Sequence, residues 1–207
     1  SNMESISRMT LPSTSATGAA WVLSTGSPYV RIVYDIRVRL EGVSSEQYFD
    51  DDPTVASEPV MVDVTLPDTA FVIETDRAVF SRGHLDTATS MLLRAELPIP
   101  STGNLLDLGC GAGPIALTMA RRSPDATVWA VDVNARARDL CARNAERNAL
   151  SNIRVVTPAD VPVELRFATI WSNPPIRIGK TALHELLEQW LGRLDTDGNA
   201  SLVVQKH

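Results

Sequence analysis

A glycine-rich turn, placed between an apolar run and a helix-forming segment, constrains the fold of this chain more than any other feature. In the stretch LLDLGCGAGPIAL, residues 105–117, the apolar run ends at Asp107 and three glycines follow at alternate positions. Glycine permits positive φ and a close approach of a ligand to the backbone, and Pro114 suits the first helical position, where its missing N–H is no loss. The stretch predicts a strand, a tight turn and a helix start whose free N–H groups can hold a carboxylate or phosphate.

The glycine spacing narrows the class of turn. A dinucleotide-binding fingerprint has the form G-x-G-x-x-G, whereas this chain has G-x-G-x-G with an acid two residues ahead of the first glycine. That difference disfavours a nicotinamide dehydrogenase. A purely structural glycine turn in another α/β protein remains the alternative on this stretch alone.

Length and composition are those of one α/β domain with an appendage. The chain has 207 residues, 44% hydrophobic and 21% charged, which is ordinary globular composition and too short for two full domains. With a net charge of −6 the chain has no overall positive field that would attract nucleic acid, so any RNA contact has to be local or shared with protein surface. Two cysteines, Cys110 and Cys141, form neither a disulfide framework nor a metal cluster, which favours the cytoplasm. No apolar run reaches the ~18 residues of a membrane span.

The residues before the turn predict a β-rich N-terminal part. Residues 1–28 are rich in Ser and Thr and are predicted to be irregular, the first two being interpreted as a remnant of tag cleavage. Strict alternation from Tyr29 to Leu40 predicts a strand with one buried face. Two further runs, 60–66 and 71–75, predict a β-hairpin.

A helix near residues 86–96 and a short linker with Pro and Gly then lead into the main domain. We therefore assign 29–99 to an N-terminal appendage with its lead-in helix and 100–207 to the main domain.

The main domain alternates strand and helix patterns. The predicted strands are 104–108, 127–133, 153–156, 167–171 and 200–205, and the predicted helices are 114–122, 135–148 and 181–194. This alternation predicts a doubly wound, mostly parallel sheet. Ligands in such sheets bind beyond the carboxyl ends of the strands, where four polar residues fall: Asp107, Asp132, Asp160 and Asn173.

Two of these acids fit an adenosyl group. Asp132 lies 25 positions after Asp107 at the end of the second strand, where an acid can accept both hydroxyls of a ribose. A dehydrogenase would use the same acid, so Asp132 does not discriminate. Asp160 can accept a hydrogen bond from an adenine amino group, or serve as an ordinary turn residue.

The tripeptide Asn173-Pro174-Pro175 after the fourth strand carries the chemistry. An amino group conjugated to a ring is a poor nucleophile because its lone pair is delocalised. If the Asn173 side-chain oxygen and the Pro174 carbonyl each accept one N–H bond, the nitrogen is pushed towards tetrahedral geometry and can be methylated. The two prolines restrict the backbone and hold both acceptors in place.

With these two motifs in register, residues 76–207 resemble the small-methyltransferase-domain family of class I S-adenosylmethionine (SAM) methyltransferases, which includes the bacterial 16S ribosomal RNA guanine-N2 methyltransferases. The matching segments are DRAVFSRGHLD (76–86), DLGCGAGP (107–114), AVDVN (130–134), SNPPIRIGK (172–180) and VVQKH (203–207).

The resemblance implies a Rossmann-like SAM methyltransferase fold, SAM as cofactor with S-adenosyl-L-homocysteine as product, and no metal. Asn173, Pro174 and Pro175 are the expected catalytic residues. The expected cofactor residues are Asp107, Gly109, Cys110, Gly111, Gly113, Asp132, Val133 and Asp160, with Phe80 and Thr89 of the lead-in covering the cofactor.

Three departures from the family pattern bear on the substrate and the fold. Ile176 stands where an aromatic residue usually stacks on the flipped base, and Asp86-Thr87-Ala88-Thr89 replaces the usual Asp-x-Gly-Thr. The family sheet continues past its fifth strand into a helix and hairpin, so we expect the domain to be truncated at its C-terminal end, with an exposed sheet edge.

Beside the predicted target, Ile176, Arg177 and Lys180 are the expected substrate-binding residues. The two cations can hold an RNA phosphate, or they are ordinary solvated loop residues. His184, near the start of the last predicted helix, is expected to be a surface or packing histidine.

The sequence therefore predicts a cytoplasmic, SAM-dependent N-methyltransferase acting on guanine N2 of ribosomal RNA, with RNA or a ribosomal subunit as partner, no membrane association and the oligomeric state left open. Two alternatives remain. A protein glutamine methyltransferase presents the same delocalised nitrogen to N-P-P, and a non-catalytic SAM-fold protein would use its appendage to bind RNA or a partner.

Overall fold

The computed structural model describes nine strands, four α-helices and a short 3-10 helix in residues 20–24, 29–35, 58–76, 84–174 and 180–205. The strands are β1 Ala20–Ser24, β2 Tyr29–Asp35, β3 Val60–Thr65, β4 Ala70–Thr75, β5 Thr102–Leu108, β6 Asp125–Val131, β7 Ile153–Val156, β8 Phe167–Ser172 and β9 Leu194–Gln205. The helices are α1 Thr87–Arg94, α2 Pro114–Arg122, α3 Ala135–Arg147 and α4 Lys180–Leu191, and the 3-10 helix is Pro158–Asp160.

Seven strands form one sheet in the order β1-β2-β9-β8-β5-β6-β7, and every neighbouring pair except β1–β2 is parallel. Helices α2, α3 and α4 connect parallel strands, as βαβ crossovers require. The central strands β5, β6 and β8 each contain a run of four buried residues, as strands covered on both faces do. The predicted Rossmann-like α/β fold is confirmed. In the part of the chain described here, no helix is both long and apolar enough to cross a membrane.

The N-terminal strands differ from the sequence expectation in two ways. Residues 20–24, predicted to be irregular, form β1, and β2 pairs in parallel with β9 in the main sheet, where the sequence placed it in a separate appendage. The outer edge of β9 is consequently covered, so the prediction of an exposed edge there is wrong. The remainder of the predicted strand, residues 36–40, lies outside the described residues.

The hairpin β3–β4 forms its own two-stranded sheet, as predicted, but shares its core with the main domain. One side of the hairpin, with Val62, Val64, Phe71 and Ile73, is buried in the same apolar cluster as residues of α1 and α2. Alternation along each strand puts these side chains on one face, and burying them against helices stabilises a hairpin that would be marginal alone.

Asn144 of α3 fixes the hairpin by hydrogen bonds to the backbone of β4. Its Oδ1 accepts from the Glu74 N–H at 2.7 Å, and its Nδ2 donates to the Glu74 carbonyl at 2.8 Å and to the Ala112 carbonyl at 2.9 Å. Asn144 is fully buried, and its contacts satisfy backbone groups that would otherwise lack partners. The hairpin is thereby joined directly to the glycine turn.

The second core cluster lies under α4. Trp190 is buried beside Phe167, with ring centroids 6.3 Å apart, and Leu186 and Leu191 pack against the same cluster. These residues confirm part of the apolar helix face that the sequence predicted. The helix ends at Leu191, however, and Leu194, predicted as its last residue, begins β9.

Candidate active site

The carboxyl ends of four parallel strands lie in one row. Leu108 of β5 pairs with Val131 of β6 and Ser172 of β8, and Val131 pairs with Val156 of β7. The Ser172 hydroxyl also donates to the Leu108 carbonyl at 2.6 Å and ties β8 to β5. The residues that follow these ends, among them the glycine turn, Asp132 and Asn173, therefore leave the sheet side by side.

The glycine turn, residues 109–113, depends on left-handed backbone. Gly109, Gly111 and Gly113 have φ of 77°, 54° and 89°, a region that disfavours residues with a Cβ. The N–H groups of Gly109 and Cys110 both donate to the Val131 carbonyl, at 2.8 and 3.0 Å.

The two ends of the turn differ in the space around them. A Cβ added to Gly113 would lie 2.6 Å from the Cys141 sulfur, whereas one added to Gly109 would have no atom of the described residues within 4 Å. The Gly113 end is thus packed against α3, and no described residue crowds the Gly109 end. Cys110 is buried, and its hydrogen bond with Cys141, together with burial, raises the pKa of its thiol.

Asp107 stabilises the start of α2 from the neighbouring strand. The N-cap of α2 is Gly113, which has no side chain to cap the helix, and Asp107 Oδ2 accepts the Ala116 N–H at 2.9 Å in its place. Its Oδ1 is buried and has no hydrogen-bond partner among the residues that the structure describes. Burial raises the pKa of Asp107 to about 8, with the Ala116 bond opposing and the charge of Asp132 adding to the shift.

Asp132 is partly exposed at the end of β6 and organises the loop around it. Its Oδ2 accepts the Gly111 N–H and its Oδ1 the Asn134 N–H, each at 2.9 Å. Burial raises the pKa of Asp132, and these backbone bonds oppose the shift. The next side chain, Val133, is 48% exposed, so an acid and an apolar surface lie together beside the turn.

Asp160 forms a capping box with Thr157. Its Oδ2 accepts the Thr157 hydroxyl at 2.6 Å and the Thr157 N–H at 3.2 Å. The hydroxyl bond is the main reason that the pKa of Asp160 is lowered. The role of a turn residue accounts for these contacts, and an adenine contact stays a prediction.

Asn173 is half-buried directly after β8, and its amide nitrogen is held from α1. The Nδ2 donates to Asp86 Oδ2 at 2.8 Å and to Thr89 Oγ1 at 3.0 Å, and Pro174 beside it is buried. The side-chain oxygen Oδ1 makes no hydrogen bond to the residues that the structure describes. Thr89 thus contacts Asn173, and its contact with the cofactor stays a prediction.

Sequence reasoning missed Asp86 as a site residue. The sequence marks Asp86 as the first residue of the predicted helix and as the acid that matches the family's Asp-x-Gly-Thr pattern, and neither signal assigned it a role in the site. In the structure Asp86 caps α1 by accepting the Thr89 N–H. Nothing in the sequence connects it to Asn173, 87 positions away.

Several predicted residues fall outside the described part of the chain. Phe80, Pro175, Ile176 and Arg177 are among them, and Lys180 begins α4 without a described side chain. His184 is exposed, with Nδ1 3.6 Å from Glu188 Oε1 one helical turn later, so it is a surface residue as expected. Within the described residues, no group of three or more His, Cys, Asp or Glu is arranged to hold a metal ion.

The glycine turn, Asp132 and Asn173-Pro174 lie side by side at the strand ends of a parallel sheet, which is the arrangement that the sequence predicted for a methyltransferase. The family model of the methyltransferase small domain matches residues 70–207, and the chain belongs to that family. The predictions of a SAM-dependent methyltransferase and of SAM as its methyl donor are confirmed at this level.

Individual relatives refine the comparison. YbxB of Bacillus subtilis, a protein named only as uncharacterised, is 34% identical over 165 residues, covering 78% of this chain and 82% of its own. Ribosomal RNA small subunit methyltransferase C of Aeromonas hydrophila is 34% identical over 141 residues, 66% of this chain. This chain spans 41% of the length of that methyltransferase.

Among solved structures, the fold is similar to the T. thermophilus 16S rRNA N2 G1207 methyltransferase in complex with AdoMet and guanosine. The TM-score is 0.57 at 21% identity, and the match covers 71% of this chain and 42% of the other. At this identity the likeness concerns the fold.

Proposed function

We propose that the protein transfers a methyl group from SAM to the exocyclic N2 amine of a guanine in ribosomal RNA. The position and hydrogen bonding of the Asn173 side chain support this proposal most directly. It follows β8 beside the glycine turn, its nitrogen is held by α1, and its oxygen has no protein partner among the described residues.

The site suits an amine with two N–H groups. Asn173 Oδ1 accepts one N–H and the carbonyl of Pro174 accepts the other, which withdraws the nitrogen lone pair from the ring. The methylated nitrogen loses its extra proton to solvent, and the two oxygens act only as hydrogen-bond acceptors, so the rate enhancement comes from orientation and desolvation. SAM, when bound, supplies an electrophilic methyl group on sulfur.

The described residues fit the adenosyl and methionine parts of SAM. None of the described residues comes within 4 Å of a Cβ built on Gly109, so a ligand can approach the backbone there. Asp132 offers carboxylate oxygens at the position where parallel sheets bind a ribose, and the exposed Val133 offers an apolar contact for the base. We assign Asp107 a supporting role, because it caps α2 behind the turn.

The relatives support the choice of RNA. The Aeromonas hydrophila relative is named as a methyltransferase of small-subunit ribosomal RNA. The T. thermophilus protein of similar fold is named as a 16S rRNA N2 G1207 methyltransferase, and its structure contains guanosine. Arg177 and Lys180 follow N-P-P in the sequence and remain the predicted phosphate contacts.

The direct test is incorporation of tritiated methyl groups from SAM into 30S subunits prepared from a strain that lacks this protein. Incorporation should map to one guanine and should disappear in Asn173→Ala, while that variant keeps its affinity for SAM in calorimetry. Asp132→Ala should show the opposite pattern, with SAM affinity reduced at least tenfold because the ribose hydroxyls lose their acceptor.

The same assay separates the two alternatives. Methylation of release factors in place of ribosomal subunits would indicate a protein glutamine methyltransferase. Absence of heat with S-adenosyl-L-homocysteine would indicate a non-catalytic protein, and SAM binding without incorporation into any RNA would contradict the proposed substrate.

A further inference from the structure

The residues that hold the Asn173 amide by hydrogen bonds, here called its anchor, do not belong to the row of strand ends. Both acceptors of its Nδ2 belong to the start of α1: Asp86 Oδ2 at 2.8 Å and Thr89 Oγ1 at 3.0 Å. They lie 87 and 84 positions earlier in the chain. Thr89 is buried and Asp86 is half-buried, so water competes poorly for these contacts.

We propose that Asp86 and Thr89 are positioning residues that determine which end of the Asn173 amide faces the substrate amine. This inference rests on the proposed function, in which Asn173 Oδ1 accepts an N–H from that amine. The two residues act on the reaction through Asn173.

Donor and acceptor chemistry permits only one orientation. A carboxylate accepts hydrogen bonds and cannot donate them, so the amide nitrogen turns towards Asp86 and the amide oxygen turns away. The Thr89 hydroxyl donates to the same Asp86 oxygen at 3.3 Å, which leaves its lone pairs for the Asn173 nitrogen. All three contacts therefore favour the same orientation of the amide.

A reversed amide would disable the site. It would present its N–H groups to an amine that itself only offers N–H groups, so attraction would become repulsion. An unanchored amide populates both orientations and loses the preorganised acceptor on which the rate depends. The anchor removes the reversed state before substrate arrives.

Asp86 has a second role, which an experiment has to preserve. The same Oδ2 accepts the Thr89 N–H at 2.9 Å as N-cap of α1, whose Leu92 and Leu93 are fully buried. Serine caps helices about as well as aspartate, but its shorter side chain does not reach Asn173. Asparagine caps equally well and can place an oxygen where Oδ2 lies.

Asp86→Ser is therefore the test variant and Asp86→Asn the conservative rescue. We expect Asp86→Ser to lower kcat roughly tenfold to a hundredfold with KM for SAM unchanged and with the same urea midpoint as the wild type. Asp86→Asn should recover most of kcat, and Thr89→Val should fall between the two. Asp139→Ser, at an exposed position of α3, is the matched control for an Asp-to-Ser change.

The double variant with Asn173→Ala shows whether Asp86 acts through the amide. If it does, adding Asp86→Ser to Asn173→Ala lowers kcat no further. An equal fold-loss in both backgrounds, or a loss in Asp86→Asn as large as in Asp86→Ser, would overturn the proposal in favour of a charge effect or a cap effect.

The orientation itself is measurable without turnover. In 15N-labelled wild type, the Asn173 side-chain amide signal, assigned by its disappearance in Asn173→Ala, should be shifted downfield and exchange slowly. It should move to the position of a solvated amide in Asp86→Ser and stay in Asp86→Asn. If no substrate is methylated, this signal still decides the anchor, and an unchanged signal in Asp86→Ser would refute it.

Discussion

Alanine at Gly113 is expected to destabilise the protein more than alanine at Gly109, although both glycines belong to one turn. Both have positive φ, 89° and 77°, and an L side chain in that region costs about 1–2 kcal/mol. Alanine also lowers the conformational entropy of the unfolded chain, which stabilises the folded state by about 0.4–1 kcal/mol. For Gly109 no steric cost is added, since no atom of the described residues lies within 4 Å of the new Cβ, and the expected net loss is about 1 kcal/mol.

Gly113 carries an additional steric term. Its new Cβ would lie 2.6 Å from the Cys141 sulfur and 3.0 Å from Leu117 Cδ1, and such overpacking typically costs about 1–3 kcal/mol. The expected total for Gly113→Ala is about 2–4 kcal/mol. That is a large part of the ~5–15 kcal/mol that holds an ordinary domain folded.

Urea unfolding followed by tryptophan fluorescence measures both losses, provided that the m-value stays constant. A Cys141→Ala background removes the nearest clashing atom, so Gly113→Ala should cost about 1 kcal/mol less there. Equal losses at the two glycines, or no relief in that background, would refute the packing described for the turn. Calorimetry should show the reverse order for SAM, with the larger loss of affinity in Gly109→Ala.

Three further predictions concern stability. Burial raises the pKa of Asp107 from its ordinary value of 3.8 to about 8, so the folded state keeps a proton that the unfolded chain has already released. The unfolding free energy should therefore fall as pH rises, by up to ~1.4 kcal/mol per unit, and level off above about 8; a urea series from pH 5 to 9 should show this slope relative to Asp107→Asn. Ala149 has φ of 54° at the end of α3, where glycine is favoured, and Ala149→Gly should raise the unfolding free energy by about 0.5–1 kcal/mol; a lower melting temperature would contradict this. Asn144→Ala removes the partners of Glu74 and Ala112 backbone groups and should cost about 2–4 kcal/mol; a loss below 1 kcal/mol in thermal unfolding would show that these bonds are replaced.

Elements with a local signal were predictable from the sequence. The helix Pro114–Arg122 and the strand Ile153–Val156 lie where predicted. Glycine and proline mark the start of the helix, and a short β-branched run marks the strand. The alignment of strand ends also followed, since parallel strands of one sheet place their carboxyl ends together.

Elements that depend on distant partners were not predictable. The run Ala20–Ser24 lies among Ser and Thr residues, and it becomes a strand only by pairing with β2. Similarly, β9 begins at Leu194, six residues before the predicted start, because Phe167 pairs with it across a polar stretch. The Asp86–Asn173 contact belongs to the same category, as its two ends are separated by 87 positions.

The single amide of Asn144 has a thermodynamic consequence that reaches across the molecule. Its two N–H groups bind one carbonyl of the hairpin and one of the glycine turn, so neither can detach without weakening the other. By reciprocity, a small molecule that binds the glycine turn more tightly when the hairpin is in place makes local opening of the hairpin less favourable by the same coupling free energy. Slower hydrogen exchange of the Glu74 amide proton would thus report that a ligand occupies the glycine turn.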